Sequence, residues 1–364
     1  MGAAPLGAWR EVCSRCGRSW SLVDRRWLCT CGGLLDLVGP LVDPWQAGAA
    51  RTGTGRLAPS GSPLLRYRAT LPPGAAAVDL GMTITRVAEL RLGMFVKADY
   101  QQPTGSFKDR GAAVTIGVAA GLGVDAVVVD SSGNAGKSVA AHARRAGMAC
   151  TVYLPAGTSP AKTAGIAGYG ATVVEVPGGR AAAAAAAQEE VRRTGRWYAS
   201  HVHQPLFHHG VKTLAFELFE QVPGLDSGSV VVPAGNGTLV LGLWIGFGEL
   251  AALGRLRRRP VLVAVQAERC APLAGLVPGS DAGAAPTAAA GIAIPAPPRA
   301  AQVRGAVLAS GGRVVTVGEE AIASARDELA GLGFEVEPTG AVAWAGSNEL
   351  GPREGPVVAV LTGR

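Results

Sequence analysis

Lys97-Ala-Asp-Tyr-Gln-Gln-Pro103-Thr104-Gly105-Ser-Phe-Lys108-Asp-Arg-Gly111 is the stretch on which the fold is decided. It begins as a short strand and breaks where Pro103 restricts and Gly105 frees the backbone. Helical periodicity resumes through Ala112, Ala113, Ile116, Ala119 and Ala120, so the turn delivers Lys108 at the start of a helix. A lysine held there forms a Schiff base with a carbonyl cofactor if its surroundings are dry; otherwise it is a solvated surface cation. The chain has five lysines against 29 arginines.

Downstream of this stretch the pattern is repeated βα. Apolar strand-like runs occur at 126–129, 149–154, 172–176, 230–232, 261–265, 314–317 and 357–361. Helical segments over 135–146, 160–168, 180–193, 209–221, 239–253 and 319–332 separate nearly all of them. That alternation predicts an α/β architecture of parallel sheets with helices on both faces. The alanine run 181–187 fits inside one helix. Segment 40–75, rich in Pro, Gly and Arg, reads as a wrapping linker, and 271–298 as a surface excursion. No internal repeat stands out.

At 364 residues the chain is long enough for two compact domains and a small appendage. The net charge of +7 is spread out, and its one dense cluster, 255–259, reads as a helix C-terminal cap rather than a nucleic-acid surface. No apolar run reaches the ~18–20 residues of a membrane span. The N-terminus lacks a charged-then-apolar leader pattern, so a cytoplasmic, reducing setting is expected.

Cys13-Ser-Arg-Cys16 and Cys29-Thr-Cys31-Gly-Gly33 place four of the six cysteines in two close pairs. In a reducing compartment they read as a Cys₄ zinc ribbon, a structural site because four thiolates leave no open position. Two disulfides or free thiols are the alternatives. Cys150 and Cys270 read as buried apolar residues.

Two loops join a strand to a helix. Ser131-Ser132-Gly133-Asn134-Ala135-Gly136 offers helix-start amides and two hydroxyls to an anion such as a carboxylate, or makes an ordinary cap. Pro233-Ala-Gly235-Asn236-Gly237-Thr238-Leu239 lets two glycines close the backbone around a phosphate, or is a common turn. No Gly-x-x-x-x-Gly-Lys-Ser/Thr is present, so a nucleotide phosphate is not expected. Thr362 follows the last strand, either at the ligand end of an open sheet or in a frayed terminus.

Pro-Thr-Gly-Ser-Phe-Lys-Asp-Arg-Gly resembles, residue for residue, the cofactor-lysine motif of threonine synthases and their fold-type-II pyridoxal-phosphate relatives. The resemblance extends from Cys13 to Thr362, with the three loops in the family's order and a Cys-Gly-Gly-ended ribbon like that of many threonine synthases. It implies two open parallel-sheet domains clasping pyridoxal phosphate. Residues 1–45 would be the ribbon, 95–200 a small mobile domain, and 46–94 with 201–364 the large one. Lys108 would hold the cofactor and take the α-proton. Asn134 would bond the ring hydroxyl, Gly235, Asn236, Gly237, Thr238 and Leu239 the phosphate, and Thr362 the pyridine nitrogen. A neutral hydroxyl at that nitrogen makes a milder electron sink, suited to elimination or replacement at Cβ or Cγ. Thr104, Ser131, Ser132 and the Ala135 amide would hold the amino-acid substrate.

The departure lies in Ser200-His201-Val202-His203-Gln204-Pro205-Leu206-Phe207-His208-His209-Gly210-Val211-Lys212-Thr213. Family members carry Asn-Ser-x-Asn-Pro-x-Arg-x-x-Gly-Gln-Lys-Thr here and use its first Asn, its Ser and its Arg to grip a substrate phosphate. His201, Val202 and Phe207 stand at those positions, and Ala135 replaces the threonine that usually follows the asparagine. An apolar residue does not replace a bidentate arginine. Four of the five histidines fall in this window, as structural groups, a metal cluster, or substrate contacts at His201. The expected activity is therefore a lyase or replacement reaction on an altered amino acid, in amino-acid or secondary metabolism, by a homodimer. A threonine synthase with a different phosphate grip and a catalytically silent homologue are the other readings.

Overall fold

The computed structural model describes residues 5–45, 61–275, 286–351 and 354–364. Residues 46–60 of the expected linker and 276–285 of the expected excursion lie outside them. The chain divides into two compact units, residues 1–83 with 108–211 and residues 84–107 with 212–364.

In the first unit a parallel four-stranded sheet has the order Thr172–Val176, Ala149–Pro155, Ala126–Val129, Trp197–Tyr198. Val127, Val128 and Val129 are wholly buried, which is why this strand reads as an unbroken apolar run. Each such side chain contributes about 1.5–3 kcal/mol through burial. Helices Lys108–Gly121, Asn134–Arg145, Pro160–Ala167, Arg180–Thr194 and Leu206–Val211 belong to this unit. A small antiparallel sheet, Ser19–Ser21, Arg10–Cys13 and Leu35–Val38, carries the cysteine pairs.

The second unit holds six strands in the order Val314–Val317, Val261–Ala267, Ser229–Pro233, Val357–Val360, Met94–Lys97, Val87–Arg91. All neighbours are parallel except the last pair. Its helices include Thr213–Gln221, Thr238–Ala252, Ala300–Ala309, Glu319–Gly331 and Pro338–Asn348.

These boundaries differ from the sequence expectation. Met94–Lys97 pairs with Val357–Val360, so 95–107 groups with 212–364 rather than with a 95–200 domain. Residues 61–83 group with 108–211 because Gly74 meets helix Lys108–Gly121 backbone to backbone; a Cβ on Gly117 would lie 2.4 Å from the Gly74 carbonyl oxygen. The single helix expected over 209–221 is two, Leu206–Val211 and Thr213–Gln221, with the unit boundary between Val211 and Lys212. The cluster 255–259 follows helix Thr238–Ala252. Arg257 pairs with Asp226 at 2.9 Å and Arg259 stacks over Trp244 at 3.8 Å. Among the described residues no helix is long and apolar enough to cross a membrane.

Candidate active site

Lys108 is the first residue of helix Lys108–Gly121 and is partly exposed, while Asp109, Arg110 and Gly111 are buried. Asp109 accepts from the Ser138 hydroxyl at 2.5 Å, tying the lysine helix to helix Asn134–Arg145. His142, also fully buried, donates from Nδ1 to the Ser138 carbonyl at 2.9 Å. The lysine helix meets Leu206–Val211 through glycines. A Cβ on Gly210 would lie 2.0 Å from the Arg110 carbonyl oxygen, and one on Gly111 would lie 2.2 Å from the Phe207 ring.

Helix Asn134–Arg145 starts without a side-chain cap on Gly133, so its first amides have no intrahelical partner. The loop before it is tight: the Gly133 amide donates to Ser131 Oγ at 3.4 Å, and a Cβ on Gly136 would lie 2.0 Å from the Ser131 carbonyl oxygen. Ser131, Ser132 and Asn134 are partly exposed, while Ala135 is buried.

His201 and Phe207 share this unit with Lys108, their ring centroids 6.0 Å apart. Burial, then the positive charges of Lys108, His203 and Arg180, push His201 down to about 3. The imidazole is neutral at physiological pH, opposite to the cation that a phosphate grip needs. Phe207 is wholly buried. Two other histidines brace the cysteine-bearing segment. His209 Nε2 donates to the Leu37 carbonyl at 3.0 Å and stands edge-on to Trp9, and His203 stands edge-on to Trp27.

In the other unit, strand Ser229–Pro233 runs into Gly235-Asn236-Gly237 and helix Thr238–Ala252. Gly237 has φ +76° and caps the helix without a side chain, leaving the amides at its start for an anion. A Cβ at Gly237 would lie 2.2 Å from Val303, so only glycine fits. Stretch 97–107 is zipped to the end of the chain. The Tyr100 amide donates to the Leu361 carbonyl, the Phe107 amide to Thr362, and the Arg364 amide to Gly105, at 3.0–3.1 Å. Gly105 has φ +87° and Thr104 is buried. Thr362 is therefore an ordered, buried residue, and its Oγ1 has no hydrogen-bond partner among the described residues. A buried orphan hydroxyl at a strand's carboxyl end, and a glycine-closed helix start in the same unit, fit a ring acceptor and a phosphate.

The four N-terminal cysteine sulfurs all lie within 4.8 Å of one another, with Cys13–Cys31 and Cys16–Cys31 at 3.5 Å and Cys16–Cys29 at 3.7 Å. None is in a disulfide. A tetrahedral ion with metal–sulfur bonds of about 2.3 Å requires sulfur–sulfur separations of roughly 3.8 Å, so the donor set fits a metal. Gly33 leaves the room: a Cβ there would lie 2.5 Å from Cys13 Sγ. Cys150 and Cys270 are buried.

The sequence reading passed over Asp109 and Asp130. Asp130 directly precedes Ser131 at the end of strand Ala126–Val129 and accepts from the Tyr198 hydroxyl at 2.7 Å. Its position, an acid at the ligand end of a parallel strand, is a signal the sequence did carry.

Residues 82–363 match the family described as pyridoxal-phosphate dependent enzyme. Over 363 residues the chain is 30% identical to a threonine synthase of Methanocaldococcus jannaschii, spanning 93% of this chain and 87% of that one. Over 278 residues it is 33% identical to a threonine synthase of Synechocystis, spanning 74% and 71%. The processed form of threonine deaminase isoform 2 from Solanum lycopersicum shares the fold, with a TM-score of 0.67 at 21% identity over 89% of each chain. The chain thus belongs to the pyridoxal-phosphate dependent enzymes, as a threonine synthase-like member of fold type II.

Proposed function

We propose that this enzyme catalyses elimination or replacement at Cβ or Cγ of an amino acid that carries no phosphate. One observation carries the reading: where the resemblance expects a phosphate-gripping arginine, Phe207 is an apolar ring buried on Gly111, beside an imidazole held neutral. Losing an arginine and a hydroxyl from a phosphate site costs roughly 3–5 kcal/mol, or about two to four orders of magnitude in turnover.

When bound, pyridoxal phosphate supplies the sink for the electron pair released at Cα. Lys108 would hold it covalently and, as a free amine, would take the α-proton of the substrate. Gly235, Asn236, Gly237, Thr238 and Leu239 hold the phosphate, Asn134 the ring hydroxyl, and Thr362 the ring nitrogen, which a neutral hydroxyl does not keep protonated. Ser131, Ser132 and the Ala135 amide receive the substrate carboxylate, with Thr104 beside the substrate. Cys13, Cys16, Cys29 and Cys31 bind a structural zinc. The working form is a cytoplasmic homodimer.

A second reading, threonine synthesis from O-phosphohomoserine, is favoured by the 30% identity to the Methanocaldococcus jannaschii threonine synthase over 93% of this chain. The intact Lys108, Asn134 and Gly235-to-Thr238 set argues against a silent homologue. Steady-state kinetics with O-phosphohomoserine, O-phosphoserine, serine, threonine and acetylated amino acids separates the readings. The proposal expects little threonine from O-phosphohomoserine at pH 7.5–8 and better turnover of an unphosphorylated substrate. Efficient threonine production at that pH overturns it.

A further inference from the structure

Strand Trp197–Tyr198 lies parallel to Ala126–Val129, with Tyr198 opposite Val128 and the Ala199 amide donating to the Val128 carbonyl at 2.8 Å. Two residues beyond Val128, Asp130 returns to the same face as Tyr198. There Asp130 Oδ1 accepts from the Tyr198 hydroxyl at 2.7 Å, and the Ser200 hydroxyl is a further partner. Ser200 in turn meets His203 Nδ1 at 3.3 Å and accepts from the Val202 amide at 3.4 Å. Tyr198 and Ser200 are buried, and the Tyr198 ring is fixed by Trp27 and His203, at 5.1 and 5.6 Å. One carboxylate thus joins the loop that begins at Ser131 to the segment that departs from its family at His201 and Val202.

We propose that Asp130 is a positioning residue for substrate binding: through Tyr198 and Ser200 it latches the Ser131–Asn134 loop in the geometry that receives an amino-acid carboxylate. The inference rests on the assignment of that loop to the substrate carboxylate. Burial pushes the Asp130 carboxyl up to about 6, and the Tyr198 and Ser200 hydroxyls act against that rise. At pH 8 the group is the anion, and a charged acceptor makes the stronger bond to a hydroxyl. Releasing it frees the start of the loop while leaving Lys108 and the phosphate-binding glycines untouched.

The test compares L-2-aminobutyrate with propylamine, the same amine without its carboxylate, as non-reacting probes of the cofactor-loaded enzyme at pH 8. Binding is followed through the cofactor's visible absorbance. Asp130→Ala and Tyr198→Phe are each expected to weaken 2-aminobutyrate roughly tenfold, the scale of one charge-assisted hydrogen bond, and to leave propylamine unchanged. Asp130→Asn, which keeps an acceptor oxygen but not the charge, should restore part of the loss. With a turned-over substrate the same variants should raise KM and leave kcat within about twofold. Wild-type preference for 2-aminobutyrate that survives both Asp130→Ala and Tyr198→Phe overturns the latch alone. Equal wild-type binding of the two probes overturns the carboxylate assignment beneath it. Parallel losses for both probes, or no rescue by Asp130→Asn, show a general packing role and also overturn the latch.

Discussion

The Phe207 ring sits on the bare Cα of Gly111, one turn after Lys108. The contact is possible only because Gly111 lacks a side chain, and Gly210 makes the matching concession on the other helix. Gly111→Ala should therefore overpack the crossing, costing about 1–3 kcal/mol in urea unfolding. The same shift should displace Lys108 and alter the cofactor's absorbance. Phe207→Arg should lose stability without gaining a phosphate grip, since it buries a charge where a ring is packed. Retained stability together with raised O-phosphohomoserine turnover would place position 207 in the substrate site.

Borohydride reduction followed by peptide mapping should put the cofactor on Lys108. Two of the other lysines are already committed. Lys97 lies 2.5 Å from Glu217 in a fully buried pair, and Lys212 lies 2.7 Å from Glu249. Removing Lys97 leaves the buried Glu217 carboxylate without its cation, which is strongly destabilising. A label on Lys97, Lys137, Lys162 or Lys212 sinks the assignment.

His201 should make stability fall in acid. Its folded value, about 3, lies below the ordinary imidazole value near 6.5. Below about pH 6.5 the unfolded chain takes up a proton that the folded chain refuses, so stability drops from there towards pH 3 and then levels off. His201→Gln should lose less stability than the wild type between pH 7.5 and 5. An imidazole resonance for His201 with a midpoint near 6.5 in the folded enzyme rules this out.

The parallel strands were legible because burial on both faces leaves an unbroken apolar run, as at Val127, Val128 and Val129. Lys108 was legible as a helix start because Pro103 and Gly105 punctuate the chain before it. The placement of 95–107 was not, because a strand's sheet is set by its partner, here Val357–Val360 over 250 residues away. Helices Ala300–Ala309 and Pro338–Asn348 escaped because small residues blur the apolar stripe; in the second, nearly every residue is buried. The histidine window carried composition but no role, since what separates His201 from His209 is which group each faces. His209 meets the Leu37 carbonyl across 172 residues of sequence, and Trp9 from still farther along the chain.

Those contacts lead to a last prediction, on metal removal. Sulfur separations of 3.5–3.7 Å among Cys13, Cys16, Cys29 and Cys31 match a tetrahedral thiolate site, and metal analysis should find about one zinc per chain. Gly33→Ala should lower zinc retention by crowding Cys13 Sγ, although no ligand is changed. The segment carrying these cysteines touches the histidine window through Trp27 on His203 and through Trp9 and Leu37 on His209. Stripping the metal with a chelator should therefore lower Tm and shift tryptophan fluorescence, because Trp9 and Trp27 lose fixed partners. Since the four thiolates leave no coordination position for a substrate, kcat of the remaining folded enzyme should stay within a few-fold. A kcat that vanishes with the metal at temperatures where the protein is still folded would make the site catalytic. Metal-free native protein of full stability would remove it altogether.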